Sequence, residues 1–161
     1  MTWKTVTRLA GAASLAVFAQ PASADLLDDI IAKGELRCGV MLDVPPVGMR
    51  DNANNPVGFD VDFCNDMAAA LGVKAIIVET PAPDRIPAIL SGRVDGGVAS
   101  ATNSLERAKS VAFSIPYQIW DVGIATAIGD KNINSEADLA GKRVGTVRGT
   151  TGEVAFLHVY E

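Results

Sequence analysis

The chain has 161 residues, 14 basic against 19 acidic and 48% hydrophobic, a balance that supports a packed core rather than disorder. Its first 24 residues hold two of the basic and none of the acidic side chains, so the remaining 137 residues carry a net charge of −7. That length suits one domain, and an acidic surface argues against nucleic acid and anionic membranes as partners.

Lys4 and Arg8 open the chain, Leu9 to Ala19 form a short apolar run, and Pro21-Ala22-Ser23-Ala24 follows with small residues spaced for cleavage. This order is that of a secretory signal peptide cut after Ala24, and it predicts an exported protein. The run is far shorter than the ~20 residues of a membrane span. No cysteine stands directly after it, so nothing points to lipid attachment there.

Asp25 to Lys33 reads as a helix with Leu26, Leu27, Ile30 and Ile31 on one face and Gly34 as its stop. Leu36 to Met41 is a strand. Asp43 to Gly58 is crowded with Pro, Asn, Asp and Gly, the composition of a long loop or hairpin-like excursion. Asp60 to Leu71 is the clearest helix, with Asp60 as its cap, Val61, Cys64, Ala68 and Leu71 inward, and Gly72 at its end. Val73 to Glu79 is a strand. Asp84 to Ser91 is a helix with Ile86, Ile89 and Leu90 inward, and Pro87 falls in its tolerant first turn. Val94 to Ala99 is a strand, Ser104 to Lys109 a helical turn or two, and Val111 to Phe113 a further strand.

The β-α-β-α-β order predicts a mostly parallel sheet with helices on its faces, an α/β fold. Ile119 to Ile128 is an apolar run long enough to cross between two lobes. Beyond it come a polar turn at Asp130 to Asn134 and a short helix at Ser135 to Leu139, with Ser135 and Asp138 spaced as a capping box. Lys142 to Val147 reads as a strand, and Gly149-Thr150-Thr151-Gly152 opens a helix from Glu153. The expected division is a leader at 1–24, lobe one at 25–121, a crossing at 122–128 and the start of a second lobe at 129–161.

Two constellations carry chemistry. Ser100, Thr102 and Arg107 follow a strand end, where ligands of parallel sheets bind. A guanidinium fork fits a carboxylate two-pronged, and a hydroxyl with helix-start N–H groups adds donors. Against this stands an ordinary surface pairing of Arg107 with Glu106 or Asp95. The second is the Gly149-Thr150-Thr151 turn, either an anion cradle or plain N-capping by one threonine. It lacks the lysine of a P-loop. Trp120 could stack on a ligand or fill a lobe interface. Asp60 and Asp62 read as helix-start charges rather than an acid–base pair. Cys38 and Cys64 could face one core, where a bridge and two separate buried thiols both stand as readings. Cys/His metal spacing is absent, His158 is the single histidine, and neither a metal nor another cofactor is expected.

Six stretches occur in a recognisable order: Gly34 to Val40, Gly58-Phe59-Asp60-Val61-Asp62-Phe63, Arg85 to Asp95, Glu106-Arg107 with Phe113-Ser114-Ile115-Pro116-Tyr117, Asp138 to Gly145 and Gly149-Thr150-Thr151. Together they resemble the periplasmic solute-binding proteins that serve polar-amino-acid ABC importers. The resemblance implies a two-lobed clamshell that closes on an amino acid and, as a monomer, delivers it to an inner-membrane permease. It implies that Arg107 grips the ligand α-carboxylate, with Thr102 beside it, Ser100 binding through its backbone, and Thr151 with Thr150 donating from lobe two. Cys38 and Cys64 look like a cysteine pair found in a subset of these binders. Where the family often places an acid and an aromatic ring, this chain has Met41 and Val44, with Asp43 two positions away, and Ala82 replaces another aromatic. The resemblance also implies that most of lobe two and a return crossing lie beyond Glu161, so a chain of this length is expected to bind poorly or not at all. Two further readings are a secreted cyclohexadienyl dehydratase of the same fold and a sensor ectodomain.

Overall fold

The computed structural model describes residues 25–160. The expected leader and its cleavage site lie outside the described residues. Helix α1 (Leu26–Lys33) stops at Gly34, whose φ of 72° lets its N–H reach the carbonyls of Ile30 and Ile31. Of the expected apolar face only Ile30 is buried, and Leu26, Leu27 and Ile31 stay about half exposed.

Strand β1 (Glu35–Val40) runs up the centre of the main sheet. The excursion after it holds a small antiparallel hairpin of β2 (Met49–Arg50) and β3 (Pro56–Val57). Helix α2 (Phe59–Ala70) then crosses to β4 (Lys74–Glu79), which pairs with β1 in parallel from Glu35 opposite Lys74 to Val40 opposite Glu79. Helix α3 (Arg85–Leu90) crosses back to β5 (Gly96–Gly97), parallel to β1 on its other side. The sheet is parallel, as the alternation of strands and helices predicts, and its order is β4-β1-β5.

Two expectations about the helices are corrected. Helix α2 starts at Gly58, with φ of 123°, and has no side-chain cap. A Cβ at Gly58 would lie 2.6 Å from the Val47 carbonyl oxygen, so only glycine fits. Asp60 is free of capping duty and turns wholly into the interior. In α3 the buried residues are Arg85 and Ala88, one turn apart, whereas Leu90 is 60% exposed.

The core forms between sheet and α2, from Cys38, Val40, Val61, Cys64 and Val98. A disulfide joins Cys38 of β1 to Cys64 of α2, with Cα atoms 6.2 Å apart. A second cluster of Ile30, Leu36 and Ala68 seats α1. Arg37 of β1 donates from its backbone N–H (2.8 Å) and Nε (3.1 Å) to Asp95 Oδ2, which fixes the approach to β5. Burial raises the Asp95 carboxyl, but its bonds to Arg37 outweigh this and hold it below the usual range.

Three expected strands differ. Val94, Val98 and Ala99 are buried, yet only Gly96–Gly97 joins the ladder. Val111 to Phe113 and Lys142 to Val147 pair with no strand among the described residues. Composition signals a preference for extended backbone, but a strand exists only where a neighbour takes up its N–H and C=O groups. The helical turn expected at Ser104 to Lys109 is a 3-10 turn at Arg107–Lys109. Ser135 and Asp138 form the expected capping box around a 3-10 helix at Glu136–Leu139. Helix α4 (Thr151–Tyr160) begins two residues before the expected Glu153. No helix among the described residues is long and apolar enough to cross a membrane.

Candidate functional site

Arg107 sits where the Ser100–Lys109 segment leaves the end of β5. The pairings that would have absorbed it form elsewhere: Glu106 joins Lys109 at 2.6 Å, and Asp95 is held by Arg37. Arg107 instead spans two backbone carbonyls, donating from Nη1 to Thr102 O at 3.0 Å and from Nη2 to Gly149 O at 2.8 Å. The guanidinium thus links the loop after β5 to the Gly149-Thr150-Thr151 turn. A guanidinium has five N–H donors, so further ones remain for a ligand oxygen.

A second guanidinium reaches the same carbonyl. Arg85 donates to Ala82 O (3.0 Å, from Nε), Ala99 O (3.0 Å) and Ser100 O (2.8 Å, both from Nη1), and Gly149 O (2.7 Å, from Nη2). It is buried at 6% exposure. Burial lowers its pKa first and the nearby Arg107 charge lowers it further, while Tyr117 and Asp43 pull the other way. Two cations therefore meet at one carbonyl oxygen, a place that favours an anion.

The Gly149 turn is built to hold that position. Gly149 has φ of 78°, and a Cβ there would lie 2.9 Å from Pro83 Cα, so glycine alone allows the approach. The Thr150 hydroxyl donates to Val147 O at 2.7 Å and accepts from Glu153 N–H at 3.4 Å, and the Glu153 carboxylate takes the Gly149 N–H at 2.7 Å. Thr150 is therefore occupied as the cap of α4. Among the described residues the hydroxyls of Thr102 and Thr151 have no hydrogen-bond partner.

Ser100 adopts φ of 49°, which few non-glycine residues do. Its N–H donates to the Tyr117 hydroxyl at 3.1 Å, and its own hydroxyl accepts from Gln118 Nε2 at 2.8 Å. The Tyr117 O–H donates in turn to Asp60 Oδ1 at 3.3 Å.

A groove of about 680 Å³ runs along the open edge of β5 and takes in Ser100, Thr102, Thr151, Arg85 and Trp120. Trp120 is 54% exposed on it. Arg107, Thr150 and Asp43 lie outside the lining; Arg107 borders the site through its bonds to Thr102 and Gly149, and the exposed Asp43 bears on it through the field at Arg85. No cluster of three metal-ligating side chains occurs among the described residues.

Arg85, Gln118 and Asp60 are the site residues that the sequence reading missed. One signal was available for Arg85, since its spacing from Ala88 places an arginine on the inward face of α3. Asp60 had none, because an acid in the first turn of a helix is ordinary.

Comparison with known proteins gives a consistent result. Residues 36–155 match the sequence model of the bacterial extracellular solute-binding proteins, family 3. The chain is 33% identical to the general L-amino acid-binding periplasmic protein of Rhizobium johnstonii, over 94% of this chain and 46% of that protein. It is 34% identical to the cyclohexadienyl dehydratase of Pseudomonas aeruginosa, over 70% of this chain and 42% of that enzyme. Among solved structures, the arginine-bound form of domain 1 of the T. maritima arginine-binding protein superposes with a TM-score of 0.54 at 40% identity, covering 56% of this chain and 71% of that one. The chain spans about half the length of the curated relatives it matches. The solved structures on which the chain superposes include amino-acid-binding proteins, and the chain itself is a mixed α/β domain with a parallel sheet and crossing helices.

Proposed function

Since the chain belongs to the bacterial extracellular solute-binding proteins of family 3, we propose that it takes part in extracytoplasmic capture of an amino acid or similar small carboxylate. The ligand's carboxylate sits between the Ser100–Arg107 loop and the Gly149-Thr150-Thr151 turn. Arg107 supplies the two-pronged grip, and the free hydroxyls of Thr102 and Thr151 add donors from either side. The Ser100 N–H is taken by Tyr117, so its backbone contributes through the second lone pair of the carbonyl that Arg85 also holds, which suits the ligand's ammonium group. The single observation that carries this reading is the convergence of Arg107 and Arg85 on the Gly149 carbonyl. A carboxylate entering there meets two fixed positive charges, and charge-assisted bonds of this kind are worth about 1.5–3 kcal/mol each.

In this reading residues 25–121 are lobe one, 122–128 the crossing and 129–161 the start of lobe two, which closes over the ligand. Export to the periplasm follows a leader cut after Ala24, and the loaded, monomeric protein hands its cargo to an ABC permease. The periplasmic relatives support this setting. No bond is made or broken, so function lies in ligand-driven closure.

The experiment is isothermal titration of the folded chain with the common amino acids, repeated with Arg107→Ala. Heat from one amino acid that disappears in the variant is expected. Unchanged affinity in the variant, or no heat from any amino acid, would overturn the reading. A single domain of the T. maritima protein is itself arginine-bound, which supports titrating a chain of this length although poor binding is expected of it.

A second reading, dehydration of a prephenate-like acid, is favoured by the similarity to the Pseudomonas enzyme. A prephenate turnover assay on the same preparation separates it from capture.

A further inference from the structure

We propose that Asp60 is a positioning residue for ligand capture: through the Tyr117 hydroxyl it holds the Ser100 N–H in place, so the shape of the site follows the charge on Asp60. The proposal rests on the carboxylate-capture reading for its functional meaning, while the coupling itself stands on the geometry below.

Asp60 is wholly buried in the first turn of α2. Its Oδ1 accepts the Tyr117 O–H, and its Oδ2 has no hydrogen-bond partner. A buried carboxylate oxygen left alone is costly, and a core chosen for stability would not keep it. Helix α2 holds the tyrosine as well, because the Phe59 and Phe63 rings stack on Tyr117 with centroids 6.2 and 5.1 Å away.

The Tyr117 oxygen is fully used. It donates to Asp60 and accepts from Ser100 N–H at 3.1 Å and from Gln118 Nε2 at 3.3 Å. The left-handed backbone of Ser100 is one that its surroundings must impose. Tyr117 and Gln118 hold its N–H and hydroxyl, and Arg85 holds its carbonyl. A charged acceptor makes a bond roughly twice as strong as a neutral one. Ionised Asp60 therefore fixes the tyrosine and, through it, Ser100. A neutral Asp60 relaxes both.

Tyr117 is the titratable group that meets Asp60 directly, and burial holds its phenol above the ordinary range, so it remains a donor. The charged groups one step further are Arg85, which acts on Tyr117, and beyond it Arg107 and Asp43. The core cluster behind Tyr117 contains no titrating group, since Cys38 and Cys64 are bridged and the rest is aliphatic. Burial pushes the Asp60 carboxyl up to about 6, with the Tyr117 bond opposing.

The test needs no ligand. The Ser100 amide resonance of isotopically labelled full chain is followed from about pH 4.5 to 8, across the range where a raised carboxyl titrates. The expected result is a shift with a midpoint near 6. The shift is lost in Asp60→Asn and in Tyr117→Phe, while the Asp60 carboxyl carbon still titrates in the latter. A Ser100 amide that ignores pH, or one that titrates unchanged in either variant, overturns the proposal. If Tyr117→Phe does not fold, the isosteric Asp60→Asn decides alone. Titrations with the common amino acids run in parallel, and silence from all of them at every pH defeats the capture reading while leaving the coupling to be judged by the resonance.

Discussion

Removing the Cys38–Cys64 bridge tests the core on which the site is mounted. The bridge closes a loop with a sequence separation of 26 residues between β1 and α2. In the chain-entropy model, cross-linking a loop of that size destabilises the unfolded state by about 3.5 kcal/mol at room temperature. Reduction forfeits that term. The double variant Cys38→Ala/Cys64→Ala forfeits it too, and also loses two fully buried sulfur atoms from the central cluster. With a urea slope of about 1–2 kcal/mol per molar, the midpoint is expected to fall by roughly 2 M or more. The assay is equilibrium urea unfolding followed by far-UV circular dichroism, with and without reductant, on wild type and double variant. The reductant should move the wild type close to the variant and leave the variant unmoved. A midpoint that changes by less than about 0.5 M, with free thiols confirmed by titration, would refute the assigned stabilisation.

Three further outcomes are expected. Arg107→Ala should weaken capture of the ligand by about 2–5 kcal/mol, read by titration calorimetry, because it leaves a carboxylate facing the site without its ionic partner. Arg85→Met should lower stability by about 2 kcal/mol in the same urea assay, since it strips donors from four carbonyls; an equal or higher midpoint would mean that burying the cation costs more than its bonds return. The folded chain binds the Asp60 proton more tightly than the unfolded one, with a carboxyl moved from 3.8 to about 6. The stability this gives is therefore complete below the unfolded value and is lost as pH rises through the folded one, by about 3 kcal/mol relative to Asp60→Asn. Asp95 works oppositely: its depressed carboxyl adds stability above the ordinary carboxylate range that is lost on further acidification, so the two contributions separate along the pH axis.

The parallel sheet was legible because its signals are local and redundant. Glycines at 34 and 72 mark helix ends, β-branched residues fill β4, and Val61, Cys64 and Ala68 repeat at helical spacing. The capping box at Ser135 and Asp138 is likewise a contact between near neighbours in sequence, and it formed as expected. The segments at 111–113 and 142–147 have the same extended preference without a ladder among the described residues, since pairing depends on a partner that a segment's own composition does not specify. In the site, the types and order of Ser100, Thr102, Arg107 and Thr151 drew attention to an anion. The pairing of Arg107 with a glycine carbonyl 42 residues away was invisible.

What the sequence determined by itself is the helices, the parallel strands of the main sheet and the chemical character of the site, because periodicity, turn residues and side-chain type all act over a few residues. Tertiary structure alone decided which polar groups are taken out of water. Arg85, Asp60 and Tyr117 look ordinary in the chain and acquire their properties only where α2, α3 and the 117–118 segment enclose them. Burial is set by what packs on the far side of a residue, and in this chain the far side comes from residues 14 to 64 positions away.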